Sequence, residues 1–220
     1  MIEEYRNRVA EVSAKLRSFR IVPVLVLEDV DSGLKMCEVL CNNNLPVAEI
    51  TFRTQAAEAV IRAAAGRFPE MYLGAGTVLN VADLKRAFDA GAKFAVAPGF
   101  NPTVVKAAVE NNLAFAPGVC TPGEIEQAYE LGCTFLKFFP AEAAGGIPML
   151  KAMIAPYKHL KISIMPTGGV TTANAADYLA IPEVAAVGGT WLGKSADIKA
   201  GKWKEIGDTV KAAVELAAKC

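Results

Sequence analysis

One lysine sits in the middle of an apolar stretch, Thr134-Phe135-Leu136-Lys137-Phe138-Phe139-Pro140, which reads as a short buried strand ended by proline. An ammonium taken out of water must find a partner, shed its proton or extend its head back to solvent. A neutral amine at the mouth of a pocket is a nucleophile toward carbonyls. The protonated imine that results draws electrons out of a neighbouring C–C bond.

A second polar set lies in Ala48-Glu49-Ile50-Thr51-Phe52-Arg53-Thr54. Side chains alternate across a strand, so Glu49, Thr51 and Arg53 share one face and Ala48, Ile50 and Phe52 the other. The polar face has two readings. Glu49 and Arg53 form a structural ion pair, or Glu49 moves protons opposite an anion-binding Arg53.

Two glycine pairs complete the chemistry, in Pro166-Thr167-Gly168-Gly169-Val170-Thr171 and Val187-Gly188-Gly189-Thr190-Trp191. Both read as turns entering helical segments, where backbone N–H groups converge on an oxyanion and a helix N-terminus adds its dipole. Gly74-Ala75-Gly76-Thr77 leaves room for a ligand beside a hydroxyl, and Ala97-Pro98-Gly99 offers an apolar wall.

The elements that must position these residues follow from periodicity. Ile2, Tyr5, Val9, Val12, Leu16 and Phe19 form one helical stripe. Strands are then expected at 21–27, 47–52, 71–75, 94–97, 113–116, 134–140, 162–165 and 184–187. Helical segments lie between them, and a last helix is expected over 202–219. Asn80, Asn101-Pro102 and the capping box Thr121-Pro122-Gly123-Glu124 mark helix starts. Eight strands alternating with helices, without a linker, predict an α/β fold: a single-domain (β/α)8 TIM barrel over residues 1–220. The first helix, 1–19, is surplus to the repeat and is expected to close the barrel bottom. The structural alternative, an open doubly wound sheet, lacks its glycine-rich turn after Leu27. In such barrels the active site lies at the C-terminal ends of the strands, with a recurrent phosphate site after strands seven and eight.

Composition narrows the function. Lys+Arg and Asp+Glu both total 23, so no net field favours nucleic acid or an anionic membrane. No apolar run is long enough to span a bilayer, and the N-terminus reads as a charged helix rather than a signal peptide, so a cytoplasmic protein is expected. The single histidine, His159, rules out zinc sites built on two or three histidines and reads as an inert surface residue. The five cysteines match no zinc spacing; Cys37 and Cys41 share a helical face and read as core or near-core thiols.

In combination, Glu49-Ile-Thr-Phe-Arg53-Thr, Gly74-Ala-Gly-Thr77-Val-Leu-Asn, Pro117-Gly118-Val-Cys-Thr-Pro122, Lys137-Phe-Phe-Pro140-Ala-Glu, Pro166-Thr-Gly-Gly169-Val and Gly188-Gly-Thr-Trp-Leu192 carry a resemblance. From about Val22 onward the chain resembles the 2-keto-3-deoxy-6-phosphogluconate (KDPG) aldolase family, which includes the 4-hydroxy-2-oxoglutarate and 2-keto-3-deoxy-6-phosphogalactonate aldolases. The resemblance implies a class I aldolase without cofactor or metal that takes a phosphorylated keto acid and assembles as a homotrimer. It implies Lys137 as the Schiff-base lysine and Glu49 as the proton shuttle. Arg53 and Thr77 would hold the carboxylate, and Pro98 and Phe139 would wall the pyruvyl pocket. Gly168, Gly169, Gly188, Gly189 and Thr190 would bind phosphate. Thr190 stands where serine is expected, and Glu28-Asp29 puts acids where relatives often carry basic residues. A phosphate-binding isomerase or synthase, with Lys137 purely electrostatic, and a non-catalytic sugar-phosphate sensor are the competing readings.

Overall fold

The computed structural model describes residues 1–220. Its strands form where the apolar runs fall. They are β1 (Ile21–Leu25), β2 (Val47–Thr51), β3 (Tyr72–Gly76), β4 (Phe94–Val96), β5 (Phe115–Ala116), β6 (Gly118–Val119), β7 (Phe135–Phe138), β8 (Ser163–Pro166) and β9 (Val187–Gly189). Every pairing is parallel, in the orders β5-β4-β3-β2-β1-β9 and β6-β7-β8.

Two seams join these sheets. At one, β5 and β6 are halves of a single stave interrupted by Pro117, which has no N–H to donate. The Pro117 carbonyl still accepts the Lys137 N–H at 2.9 Å, and the Gly118 N–H reaches Gly99 O at 3.2 Å. At the other seam, bridges Ile164–Val184 and Thr167–Gly188 join β8 to β9. The result is an eight-stave (β/α)8 barrel.

Ten α-helices surround it: α1 (Ile2–Phe19), α2 (Val30–Asn42), α3 (Ala57–Arg67), α4 (Val81–Asp89), α5 (Pro102–Glu110), α6 (Pro122–Glu130), α7 (Gly146–Ile154), α8 (Ala175–Leu179), α9 (Ser195–Lys199) and α10 (Trp203–Ala217). The expected caps form. Asn80 accepts from the Asp83 N–H, Asn101 from the Thr103 N–H, and Thr121 and Glu124 close a capping box.

Several boundaries differ from expectation for physical reasons. β1 stops at Leu25, because beyond it the Leu27 carbonyl is taken by the Thr54 hydroxyl at 2.6 Å and Asp29 caps α2. The last stave is β9 (Val187–Gly189), three residues later than expected: Val184 makes only an isolated bridge, whereas Gly188 and Gly189 pair with Val22 and Pro23. Gly188-Gly189 is therefore extended strand and not a turn.

α1 lies across the starts of the strands. Its stripe Tyr5, Val9, Val12 and Leu16 is buried, each side chain contributing roughly 1.5–3 kcal/mol of apolar burial. Tyr5 Oη donates to Phe115 O at 3.2 Å, and Arg17 donates to Val184 O at 3.0 Å. The buried apolar side chains of α1, the staves and the outer helices form one continuous cluster. No helix is long and apolar enough to cross a membrane.

Candidate active site

The opposite end of the barrel opens into a cavity of about 290 Å³. Its lining includes Glu49, Arg53, Thr77, Pro98, Lys137, Phe139, Gly168, Gly169, Gly188 and Thr190, brought together from six staves or the loops that follow them. Gly189 is not among the lining residues. A side chain on Gly189 would collide with the ring of Trp191, so this glycine serves the packing of the indole. Thr51, which strand alternation puts on the face of Glu49 and Arg53, lines the cavity as well, as do Val24, Thr167 and Val170, to which the sequence reading gives no site role. Thr167 could have been found from its place directly before the glycine pair; Val24 carries no polar signal at all.

At the centre Lys137 Nζ donates to Glu49 Oε1 at 3.0 Å and Oε2 at 3.2 Å, across 88 residues of sequence. Lys137 is 4% and Glu49 0% exposed, so the pair is nearly dry and each charge depends on the other. Arg53 is exposed at the rim, and the salt-bridge partner of Glu49 is Lys137 rather than Arg53. The capping ion pair is thus replaced by a pair between staves β2 and β7. Lys137 Nζ also lies 5.8 Å from the centroid of the Phe139 ring.

Local backbone makes the room. A Cβ on Gly76 would overlap Glu49 Oε1, so glycine at the end of β3 lets the carboxylate lie flat beside the lysine. Thr51 Oγ1 donates to Leu25 O at 2.9 Å, which ties β2 to β1 beside Glu49. Thr77 holds a left-handed φ of 56°, a costly conformation for a β-branched residue, at the cavity wall.

The two glycine pairs do different things. Gly168 and Gly169 hold φ of 97° and 81°, and their N–H groups donate to no other group in the protein. They form the turn that the sequence suggests. Gly188 has no side chain because Thr167 fills that space. Thr167 is 5% exposed, yet its hydroxyl has no hydrogen-bond partner in a cavity it lines. Helix termini contribute less than expected, since α8 and α9 are single turns that begin at Ala175 and Ser195.

The acids after β1 have structural partners. Asp29 accepts from the Ser32 N–H at 2.7 Å, and Glu28 pairs with Lys199 at 2.8 Å. His159 is exposed, Cys37 is buried and Cys41 is half-buried.

Known proteins match along almost the whole chain. The profile of the KDPG and KHG aldolase family matches residues 12–209. A 2-dehydro-3-deoxy-phosphogluconate aldolase of Haemophilus influenzae is 43% identical over 206 residues, 94% of this chain and 96% of the relative. A KHG/KDPG aldolase of Escherichia coli is 38% identical over 212 residues, 96% of this chain and 99% of the relative. Among solved structures, a KDPG aldolase from Legionella pneumophila, with pyruvate captured at low pH as a covalent carbinolamine intermediate, superposes with a TM-score of 0.86. It is 33% identical and covers 91% of this chain and 97% of its own. With motifs, fold and relatives in agreement, the chain belongs to the KDPG and KHG aldolase family.

Proposed function

We propose that this protein is a metal-independent class I aldolase that reversibly cleaves 2-keto-3-deoxy-6-phosphogluconate to pyruvate and glyceraldehyde 3-phosphate. The observation that carries the reading is the buried Lys137–Glu49 contact at the floor of a cavity with a glycine turn at its rim.

The Lys137 ammonium passes its proton to Glu49, and the free amine adds to the C2 carbonyl to give a carbinolamine. Glu49 returns the proton to the C2 hydroxyl, which leaves as water, and an iminium forms. The carboxylate then removes the C4 hydroxyl proton. The C3–C4 bond breaks, its electrons pass into the iminium, and the aldehyde departs. Reprotonation of the enamine at C3 and addition of water release pyruvate. One carboxylate within reach of Lys137 Nζ serves each transfer in turn. Proximity in a nearly dry site strengthens every electrostatic contact.

Arg53 and Thr77 are assigned to the substrate carboxylate, Pro98 and Phe139 to the walls of the pyruvyl end. The free N–H groups of Gly168 and Gly169 are assigned to the phosphate, together with Gly188 and Thr190. Gly189 takes an indirect part, by seating Trp191. The Thr167 hydroxyl is left to a substrate oxygen. The 1–220 chain is taken as a single working unit; the homotrimer expected from the family resemblance belongs to the same proposal and is read directly by sedimentation equilibrium.

The Escherichia coli relative is named for both KHG and KDPG, which supports 4-hydroxy-2-oxoglutarate as a second substrate. Pyruvate release should be compared on 2-keto-3-deoxy-6-phosphogluconate, its galactonate epimer and 4-hydroxy-2-oxoglutarate. The highest kcat/KM is expected on the gluconate. No pyruvate from any of the three, or full activity in Lys137→Ala, overturns the reading.

A further inference from the structure

Behind the Gly168-Gly169 turn lies a hydrogen bond that the chemistry above does not use. Tyr178, fully buried on α8, donates its phenolic O–H to Glu142 Oε1 at 2.5 Å. Burial, and secondarily the acceptor Glu142, push the Tyr178 phenol well above its ordinary range, so it remains a donor at any physiological pH.

Glu142 is also fastened to the turn by its backbone and its side-chain stem. Its N–H donates to Gly168 O at 3.0 Å, and the preceding Ala141 N–H donates to Thr167 O at 2.8 Å. A Cβ on Gly169 would stand 2.5 Å from the Glu142 Cβ, so the glycine packs directly on this stem. A Cβ on Gly168 would lie 3.2 Å from the Phe139 ring. The Lys137-Phe-Phe-Pro140-Ala-Glu142 segment therefore carries the lysine at one end and the brace of the glycine turn at the other.

We propose that the Tyr178–Glu142 hydrogen bond is a positioning device: it sets the Gly168-Gly169 turn for the phosphoryl end of the substrate and takes no part in the imine chemistry. This rests on the aldolase reading. The free N–H groups of the turn point usefully at an anion only if the turn is held in its left-handed conformation, and the brace supplies that constraint from the helix side. On the other side, Asn174 accepts from the Thr171 N–H at 2.8 Å.

The test compares Tyr178→Phe, Glu142→Ala and Glu142→Gln with the wild type by two readouts. The first is KM and kcat on 2-keto-3-deoxy-6-phosphogluconate. The second is the rate of pyruvate trapping at Lys137 by borohydride, in which no phosphate takes part. Tyr178→Phe and Glu142→Ala should raise KM about tenfold, the scale of one hydrogen bond to a charged group, with unchanged trapping. Glu142→Gln keeps an acceptor oxygen without the charge and should fall between the wild type and Glu142→Ala in KM. Unchanged KM in both Tyr178→Phe and Glu142→Ala overturns the proposal. So does an equal loss in trapping, or a Glu142→Gln variant as impaired as Glu142→Ala. If the wild type itself traps no pyruvate, it is the aldolase reading that fails.

Discussion

Lys137 and Glu49 approach to 3.0 Å in a site where neither is more than 4% exposed. Desolvating a lone charge costs several kcal/mol, so two charges buried this deeply depend on each other. The same contact that stabilises the pair lets a proton cross between them. Stability and chemistry are thus linked at one hydrogen bond.

The first prediction concerns that link. Lys137→Ala and Glu49→Gln each leave a buried group without its partner. Each should lower stability by up to about 3–5 kcal/mol, read by urea unfolding. The double variant Lys137→Ala/Glu49→Gln should lose less than the sum of the single losses. Additive losses would mean that the two side chains do not sense each other.

Glu49→Gln also isolates the proton-transfer role. Its volume is nearly unchanged, but it cannot accept a proton, so kcat should fall roughly 10²–10⁴-fold. Steady-state pyruvate release measures this. A kcat within a few-fold of wild type would assign the transfers to another group.

Gly76→Ala tests the placement of that carboxylate without touching its chemistry. The new methyl overlaps Glu49 Oε1. A shift of about 1 Å should cost roughly 10²-fold in kcat, while binding of the phosphate end stays intact. Inhibition by inorganic phosphate, unchanged between wild type and variant, would report the second half.

Two buried thiols give a pH dependence. Burial pushes Cys37 up to about 12, with a smaller contribution from Cys41, and burial likewise pushes Cys133 up to about 12, opposed by the Tyr5 hydroxyl. A thiol raised in the folded state is protonated there when the unfolded chain has already lost its proton. The stability it contributes is fully present below the unfolded value near 9 and is lost as pH rises toward about 12. Urea midpoints should therefore fall with pH above about 9, and less steeply in Cys37→Ala. At neutral pH a thiol reagent should label exposed Cys220 first and Cys37 and Cys133 only on unfolding.

The barrel could be read from the sequence because parallel staves buried on both faces leave continuous apolar runs separated by capped helices. Asn80, Asn101 and Thr121 cap as their residue types dictate. Pro117 was harder: a stave that bends around a residue without an N–H keeps no regular pairing across the break, so its second half, Gly118–Val119, has no visible pattern. Gly188-Gly189 misled for the opposite reason. Glycine is permissive, and only the partners Thr167 and Trp191, which fill the missing Cβ positions, show that this pair is strand. Glu49 and Lys137 stood out as charges in apolar strands, but that they face each other depends on barrel closure over 88 residues. Thr167 is legible only through its place before the Gly168-Gly169 pair; that its buried hydroxyl lacks a partner is a property of its surroundings.

The most direct measurement is borohydride trapping with pyruvate, followed by intact mass and peptide mapping. Irreversible loss of activity is expected, with one reduced pyruvate adduct per chain located on Lys137 and none in Lys137→Ala. An unmodified, fully active protein, or an adduct on any other lysine, would contradict the assignment of Lys137 as the nucleophile.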